Sequence, residues 1–191
     1  MEERLYMDHL RSLWEKNWPK GIPRAPRYPF GEILLTDYLK KWAMQKGNAP
    51  SVIYYGHQLT WKQLDDLSDK FAAYLSNKGF KKGDKFSVFL PNCPQFYIAF
   101  YGILKLGCVH VPVSPMLQEA ELMHELNDAD ATGILTLDLM YPLVQKVKEK
   151  TNLQHIMITR LHDFVKEEPT MPLPAFFQMP AQECPGADDM M

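Results

Sequence analysis

The sequence predicts an α/β fold, in which a doubly wound, mostly parallel sheet carries helices on both faces and follows a proline-rich N-terminal arm. Three observations lead to this prediction. Short runs rich in β-branched and aromatic residues alternate along the chain with amphipathic helical patterns, which is typical of βαβ crossovers. Four prolines lie between residues 19 and 29. Hydrophobic residues make up 46% and charged residues 23% of the 191 positions, a balance that permits one buried core.

Residues 1–33 are predicted to form an N-terminal helix and a proline-rich arm. The helix is expected over 5–18, where apolar residues recur at helical spacing. The prolines that follow are Pro19, Pro23, Pro26 and Pro29, and at this density they block helix and sheet pairing. Because the segment is rich in tryptophan and tyrosine, we expect it to pack against something. Two interpretations stay open: it packs on its own domain, or it contacts a partner subunit in a homodimer.

Residues 34–160 are predicted to form the α/β subdomain. A helix over 34–46 is followed by a β-hairpin that turns at Gly56-His57. Thr60 then begins a helix, with Gln63 placed to complete a capping box. The remaining predicted elements are a strand over 85–90, a helix capped by Asn92 and stopped by Gly107, a strand over 108–112, a helix over 119–128, a strand over 132–136, a helix over 138–150 and a strand over 155–159.

Residues 161–191 are predicted to form an irregular, proline-rich connection. Five prolines interrupt this stretch, and its apolar residues follow no helical or strand period. We expect it to end at Met190-Met191 without a closing element of secondary structure.

Composition and charge exclude several classes of protein. The net charge of −2 offers no basic field for nucleic acid. Cys93, Cys108 and Cys184 are far apart and odd in number, which is neither a disulfide framework nor a metal-binding pattern and suits a reducing cytosol. The N-terminus lacks the apolar core of a signal peptide, and no stretch reaches the roughly 20 apolar residues of a membrane span. We therefore expect a cytoplasmic protein.

The candidate chemistry at the strand ends is sparse. Asn92 and Cys93 follow a predicted strand, where ligands bind in open α/β sheets. A thiol at a helix start can be activated, but no base is placed beside Cys93 by the sequence. We interpret Cys93 as a small residue at a helix start and Asn92 as a cap. Gly79 and Gly83 do not have phosphate-loop spacing and come after a helix rather than before one, so we interpret them as a helix stop and turn.

The other polar residues show no site pattern either. The six histidines fit no metal-ligand spacing on a common element. Solvated surface is the expectation for the scattered carboxylates, among them Asp65, Asp66, Asp128 and Asp130. The sequence therefore assigns no catalytic, cofactor-binding or metal-binding residue.

Two segments nevertheless resemble the core motifs of the adenylate-forming superfamily. Residues 58–64, Gln-Leu-Thr-Trp-Lys-Gln-Leu, resemble the first motif, with Gln63 where an acidic residue is usual. Residues 104–115 resemble the second motif, with Leu106 where alanine is usual and without the acidic residue that follows the proline pair. Their order and spacing also match, over roughly residues 33–158. Within the superfamily, the run at 112–116 and the proline-rich arm are most similar to medium- and long-chain acyl-CoA synthetases.

This resemblance implies an AMP-forming acid–thiol ligase. Such an enzyme joins a carboxylate to ATP to give acyl-AMP, and CoA then displaces AMP. The parent protein would use ATP, Mg and CoA. The family supplies its phosphate loop, its Mg-binding pair and its catalytic lysine beyond the motifs found in this chain. The resemblance therefore implies an N-terminal portion that is inactive alone and has the remainder of the synthetase chain as its partner.

Three hypotheses follow from the sequence. The first is the N-terminal part of a fatty-acid–CoA ligase. The second keeps the superfamily but replaces the fatty acid with an aryl or amino acid. The third is a non-catalytic binding or assembly module, which an arm rich in tryptophan and tyrosine would suit.

Overall fold

A computed structural model describes residues 2–190 of the chain. Met1 and Met191, which belong to the predicted arm and tail, lie outside the described residues. The fold divides into two compact units, Met1–Ile33 and Leu34–Met191.

The first unit contains helix α1 (Glu2–Asn17), which begins three residues earlier than the sequence predicts. The rings of Trp14 and Trp18 meet edge to face, with centroids 5.4 Å apart. The indole N–H of Trp18 donates to the carbonyl of Ile22 at 2.8 Å, and Arg24 pairs with Glu15 at 3.4 Å. These contacts fold the first part of the proline-rich segment against the end of its own helix.

The second unit contains a hairpin, five helices and a five-stranded sheet. Its elements are α2 (Leu35–Lys46), β1 (Pro50–Tyr54), β2 (His57–Thr60), α3 (Trp61–Asn77), β3 (Lys85–Phe89), α4 (Pro94–Leu106), β4 (Val109–Val113), α5 (Glu119–Asp128), β5 (Gly133–Leu137), α6 (Tyr141–Lys148), β6 (His155–Thr159) and β7 (Asp189–Met190). Short 3₁₀ helices occupy Asp138–Met140, Leu161–Phe164 and Ala175–Gln178.

The large sheet is parallel, with strand order β4-β3-β5-β6-β7. Its two faces carry two separate buried clusters. One cluster joins Phe86 and Val88 of β3 to α2, α3 and α4, and the other joins Phe89 and Ile134 to α5 and α6. Helices therefore cover both faces, as doubly wound topology requires. The predicted fold class is confirmed.

The hairpin turn is one residue away from its predicted place. Tyr54 pairs with His57, so the two turn residues are Tyr55 and Gly56, with φ of 46° and 90°. A two-residue turn of this kind needs positive φ at both positions. The prediction of a Gly56-His57 turn was therefore wrong, because Gly56 occupies the second turn position and His57 already belongs to β2.

Some predicted helix boundaries are confirmed and others differ. The helix predicted over 138–150 is a 3₁₀ turn at Asp138–Met140 followed by α6, which ends at Lys148. The hydroxyl of Thr60 accepts from the N–H of Gln63 at 3.2 Å, and the Gln63 side chain accepts from the N–H of Thr60 at 2.9 Å. Gly107 ends α4 in the left-handed conformation, with φ of 80°. The prediction that Asn92 caps α4 was wrong, because Cys93 occupies the N-cap position and Pro94 begins the helix. Proline favours the first helical position, and it therefore sets this boundary.

The tail is more ordered than the sequence predicts. β7 pairs in parallel with β6, so the expectation that no closing element forms was wrong. Asp188 fixes the start of this pairing: its N–H donates to the carbonyl of Ile156 at 2.8 Å, and its carboxylate accepts from the N–H of Ile156 at 2.7 Å. Phe177, from the middle of the tail, is buried in the same cluster as α3 and α4. The tail therefore belongs to the second unit.

Candidate functional site

The carboxyl edge of the parallel sheet is the place where the fold positions a site. α4 leads from β3 outward to β4, whereas α5 returns from β4 across β3 to reach β5. The strand order therefore reverses between β3 and β5. Open α/β sheets bind ligands in the crevice at such a switch point, beyond the carboxyl ends of the strands.

A buried carboxylate organises the edge beyond β5. Asp138 follows β5 directly and is buried. Its side chain accepts from the N–H of Leu139 at 2.9 Å and from the N–H of Gln182 at 3.1 Å, and it lies 3.4 Å from the guanidinium of Arg160. Asp138 therefore holds together the ends of β5 and β6 and the tail.

A second group of contacts fixes the segment that follows β6. The buried side chain of Gln95, in the first turn of α4, donates to the carbonyl of Arg160 at 2.7 Å. The carboxylate of Asp163 accepts from the N–H of Arg160 at 2.9 Å and from the hydroxyl of Thr159 at 3.3 Å. The polar groups along this edge are thus used mainly to bind neighbouring parts of the chain.

Cys93 does not have the environment of a nucleophile. It is 1% exposed, and burial raises the pKa of its thiol to about 11, against the smaller opposing effect of the N–H groups of Phe96 and Gln95. The thiol is therefore protonated at neutral pH, and a protonated thiol is a poor nucleophile. Asn92 beside it is exposed.

The glycines before β3 form a turn, as the sequence predicts. Gly79 and Gly83 both have φ of 93°, and the N–H of Lys81 between them donates to the carboxylate of Asp84 at 2.8 Å. The segment follows the end of α3. It does not gather N–H groups at a helix N-terminus, which a phosphate cradle needs.

One of the six histidines meets a carboxylate: Nδ1 of His155 lies 3.2 Å from the side chain of Asp188. Within residues 2–190 no group of three or more histidine, cysteine, aspartate or glutamate side chains could hold a metal ion. Asp66 and Asp130 are largely exposed, in ion pairs with Lys62 and Lys85. Asp65 is different, because its side chain is partly buried and pairs with the buried amine of Lys105. The expectation of solvated surface was wrong for Asp65.

Comparisons with known proteins decide the family. The family profile described as "AMP-binding enzyme" matches residues 39–191. The chain belongs to this family. It is 33% identical over 155 residues to a long-chain-fatty-acid–CoA ligase of Salmonella typhimurium, covering 81% of this chain but 28% of the relative. It is 34% identical over 152 residues to the ligase of the same name from Bacillus subtilis, covering 80% of this chain and 27% of the relative.

Solved structures share the fold. The crystal structure of a long-chain-fatty-acid-CoA ligase from Archaeoglobus fulgidus superposes with a TM-score of 0.65 at 24% identity, covering 78% of this chain and 32% of that one. The chain thus spans less than a third of the length of each of these relatives. Its similarity to them is confined to their N-terminal part.

The two motifs that suggested the family have structural roles in this chain. Residues 58–64 contain the capping box that starts α3, and Gly107, in the left-handed conformation, ends α4 before β4.

The sequence did not predict the junction at Asp138 and Arg160. A signal was present, because Arg160 directly follows the strand predicted over 155–159 and Asp138 lies two residues beyond the strand predicted over 132–136, at the same edge of the sheet. None of the helices in the described part of the chain has the length and apolar character of a membrane span.

Proposed function

We propose that this chain is the N-terminal part of an ATP-dependent fatty-acid–CoA ligase. Such an enzyme activates a fatty acid as acyl-AMP and then transfers the acyl group to CoA. The observation that carries the proposal is the match to relatives named long-chain-fatty-acid–CoA ligases, at 33–34% identity over more than three quarters of this chain. That match favours a fatty acid over the aryl or amino acids that other adenylate-forming enzymes take. We propose a cytoplasmic location, which the cysteine usage supports.

In this proposal the chain supplies the scaffold and the remainder of the synthetase supplies the chemistry. Adenylation needs cations and N–H donors around the phosphates, where negative charge builds up. At the carboxyl edge, Asp138 is already paired with Arg160 and with a tail N–H. The described residues thus do not fit a site for Mg or for a triphosphate. We therefore propose that the chain is inactive alone.

Residues 161–191 have a specific role in this proposal. β7 runs parallel to β6, and its pairing begins at Met157 and Asp189. A strand in this direction leads the chain toward the carboxyl edge, where ligands bind in open sheets. We propose that 161–191 is the connection that delivers the phosphate loop of the parent enzyme to this edge.

We also propose that residues 1–33 make a homodimer contact in the parent. α1 carries large exposed apolar side chains, among them Leu5, Tyr6 and Trp14. Light scattering on the parent ligase with and without residues 1–33 measures this directly. A mass that remains dimeric after the deletion would refute the contact.

The test of function is fatty-acid-dependent exchange of pyrophosphate into ATP. It compares this chain with the product of its source reading frame extended past the codon for Met191. We expect exchange with palmitate for the extended protein and none above blank for this chain. Benzoate and phenylalanine serve as matched acids for the aryl and amino-acid alternatives. Exchange with benzoate or phenylalanine but not with palmitate would assign the substrate to that class of acid instead. A stop codon directly after Met191 would favour the binding-module hypothesis.

A further inference from the structure

A cavity of about 400 Å³ lies beside the start of α4, between the hairpin and helix α3. Among the residues that line it are Tyr54, Trp61, Asn92, Cys93, Tyr97 and Tyr101. Asn92 and Cys93 follow β3, one of the two strands at the switch point. The volume is within the usual range for sites that bind small molecules.

Four of the lining side chains are aromatic, and their neighbours hold two of them in place. Tyr54 packs edge to face on Tyr55, with centroids 4.8 Å apart, and Trp61 packs on Trp42 at 6.0 Å. Rings that are already fixed lose little conformational freedom when a ligand binds. Aromatic rings also favour other rings in stacked and edge-to-face arrangements. The walls are therefore suited to a planar aromatic ligand.

The polar groups around the cavity are neutral. No lysine, arginine, histidine, aspartate or glutamate is among the described residues that line it. Burial raises the pKa of the Tyr54 and Tyr101 hydroxyls above their ordinary values, and burial raises the pKa of the Cys93 thiol to about 11. These groups therefore remain protonated at neutral pH. A carboxylate ligand would find no opposite charge here.

We propose that this cavity binds a neutral, planar aromatic molecule that carries an amide or a hydroxyl group. Its ring lies against the aromatic walls, and its polar group hydrogen-bonds to the amide of Asn92 at the exposed rim. Asn92 can both donate and accept, so it suits either substituent. Because the ligand is uncharged, it differs in chemistry from the carboxylate substrate of the proposed ligase reaction, on which the proposed function rests.

The probe that tests the proposal is benzamide, titrated into this chain labelled with ¹⁵N. The readouts are the side-chain amide of Asn92 and the indole N–H of Trp61 in NMR spectra. Two compounds act as controls for the ligand. Cyclohexanecarboxamide keeps the amide but has no aromatic ring, and benzoate keeps the ring but carries a charge. We expect saturable shifts with benzamide. Each control compound should bind at least about fivefold more weakly than benzamide.

Two variants test the walls and the rim. Tyr97→Leu removes a ring that is already partly exposed, and Asn92→Ala removes the exposed amide, so neither change is expected to disturb folding. Each should weaken benzamide binding about fivefold, with the Trp61 signal as the readout for both. Tyr28→Leu is the matched control, because Tyr28 is an exposed tyrosine that does not line the cavity.

Three results would overturn the proposal: shifts that do not saturate, equal binding of cyclohexanecarboxamide, or unchanged affinity in both cavity variants. None of these results bears on pyrophosphate exchange. The aromatic site and the ligase function can therefore fail separately.

Discussion

Replacing Lys105 with methionine tests whether a buried ion pair fastens α4 to α3. The amine of Lys105 lies 2.5 Å from the carboxylate of Asp65, 2.7 Å from that of Asp69 and 2.9 Å from the carbonyl of Asp65. The Lys105 side chain is 6% exposed, and the side chains of Asp65 and Asp69 are 19% and 59% exposed. Methionine retains much of the apolar stem but removes the charge and the three hydrogen bonds.

The size of the effect follows from how much each carboxylate can return to water. Removing one partner of a fully buried pair costs about 3–5 kcal/mol. Asp69 is largely exposed, so its share falls to about 0–1 kcal/mol. Asp65 is only partly buried and will recover some hydration. We therefore expect Lys105→Met to lower the free energy of unfolding by about 2–3 kcal/mol. In a chain of this size that lowers Tm by about 4–12 °C.

The measurement is urea unfolding followed by far-ultraviolet circular dichroism. Lys62→Met is the matched control, because Lys62 pairs with Asp66 on the surface of the same helix α3 at 3.5 Å, with both side chains more than half exposed. The control should cost less than about 0.5 kcal/mol. If Lys105→Met costs no more than Lys62→Met, the buried pair does not stabilise the fold and the reasoning is refuted.

Two further predictions concern the same face of the sheet. Burial between the rings of Phe96 and Phe100 lowers the pKa of His110. The folded protein therefore favours the neutral form of His110. This contribution to the free energy of unfolding is fully present above the pKa of histidine in the unfolded chain, about 6.5, and is lost as the pH falls toward the lower pKa of His110 in the folded protein. His110→Leu should flatten this acid-side loss in Tm measured from pH 7 to pH 5; an unchanged slope would contradict it. Gly102→Ala places a Cβ 2.8 Å from the Phe71 ring. It should lower the free energy of unfolding by about 1–3 kcal/mol in the same urea assay. A gain in stability from helix propensity would instead show that α3 and α4 can move apart.

The central strands were predictable because each is a short apolar run bounded by turn residues. The strand predicted over 155–159 has the bounds of β6, and the one predicted over 85–90 differs from β3 by one residue. Parallel strands that are covered on both faces consist of continuous apolar residues, and such runs are easy to recognise in a sequence. The capping box at Thr60 and the stop at Gly107 were predictable for a different reason: both depend on contacts within a few residues of the chain.

The features that the sequence did not predict depend on contacts between distant parts of the chain. β7 has two residues and no pattern of its own, and the pairing of Asp188 with Ile156 defines where it starts. The partner of Asp65 is 40 positions away, so only the packing of α4 on α3 brings Lys105 to it. The i,i+4 spacing of Asp65 and Asp69, opposite a lone lysine in an apolar helix, is the signal that could have suggested it.

The contacts at the carboxyl edge support the proposal that this chain is a scaffold for groups supplied by the rest of a ligase. Each polar side chain that anchors this edge binds another part of the same unit: Asp138 binds Arg160 and the tail, and Gln95 binds the backbone at Arg160. Groups held in this way are rigid, and a functional site needs rigid support behind its reacting groups. The carboxylate of Asp138 and the amide N–H of Gln95 are also already paired or hydrogen-bonded, so these two groups have little capacity left to interact with a bound nucleotide. The bonds that make this edge a firm support therefore favour the proposal that the reacting groups come from the remainder of the ligase.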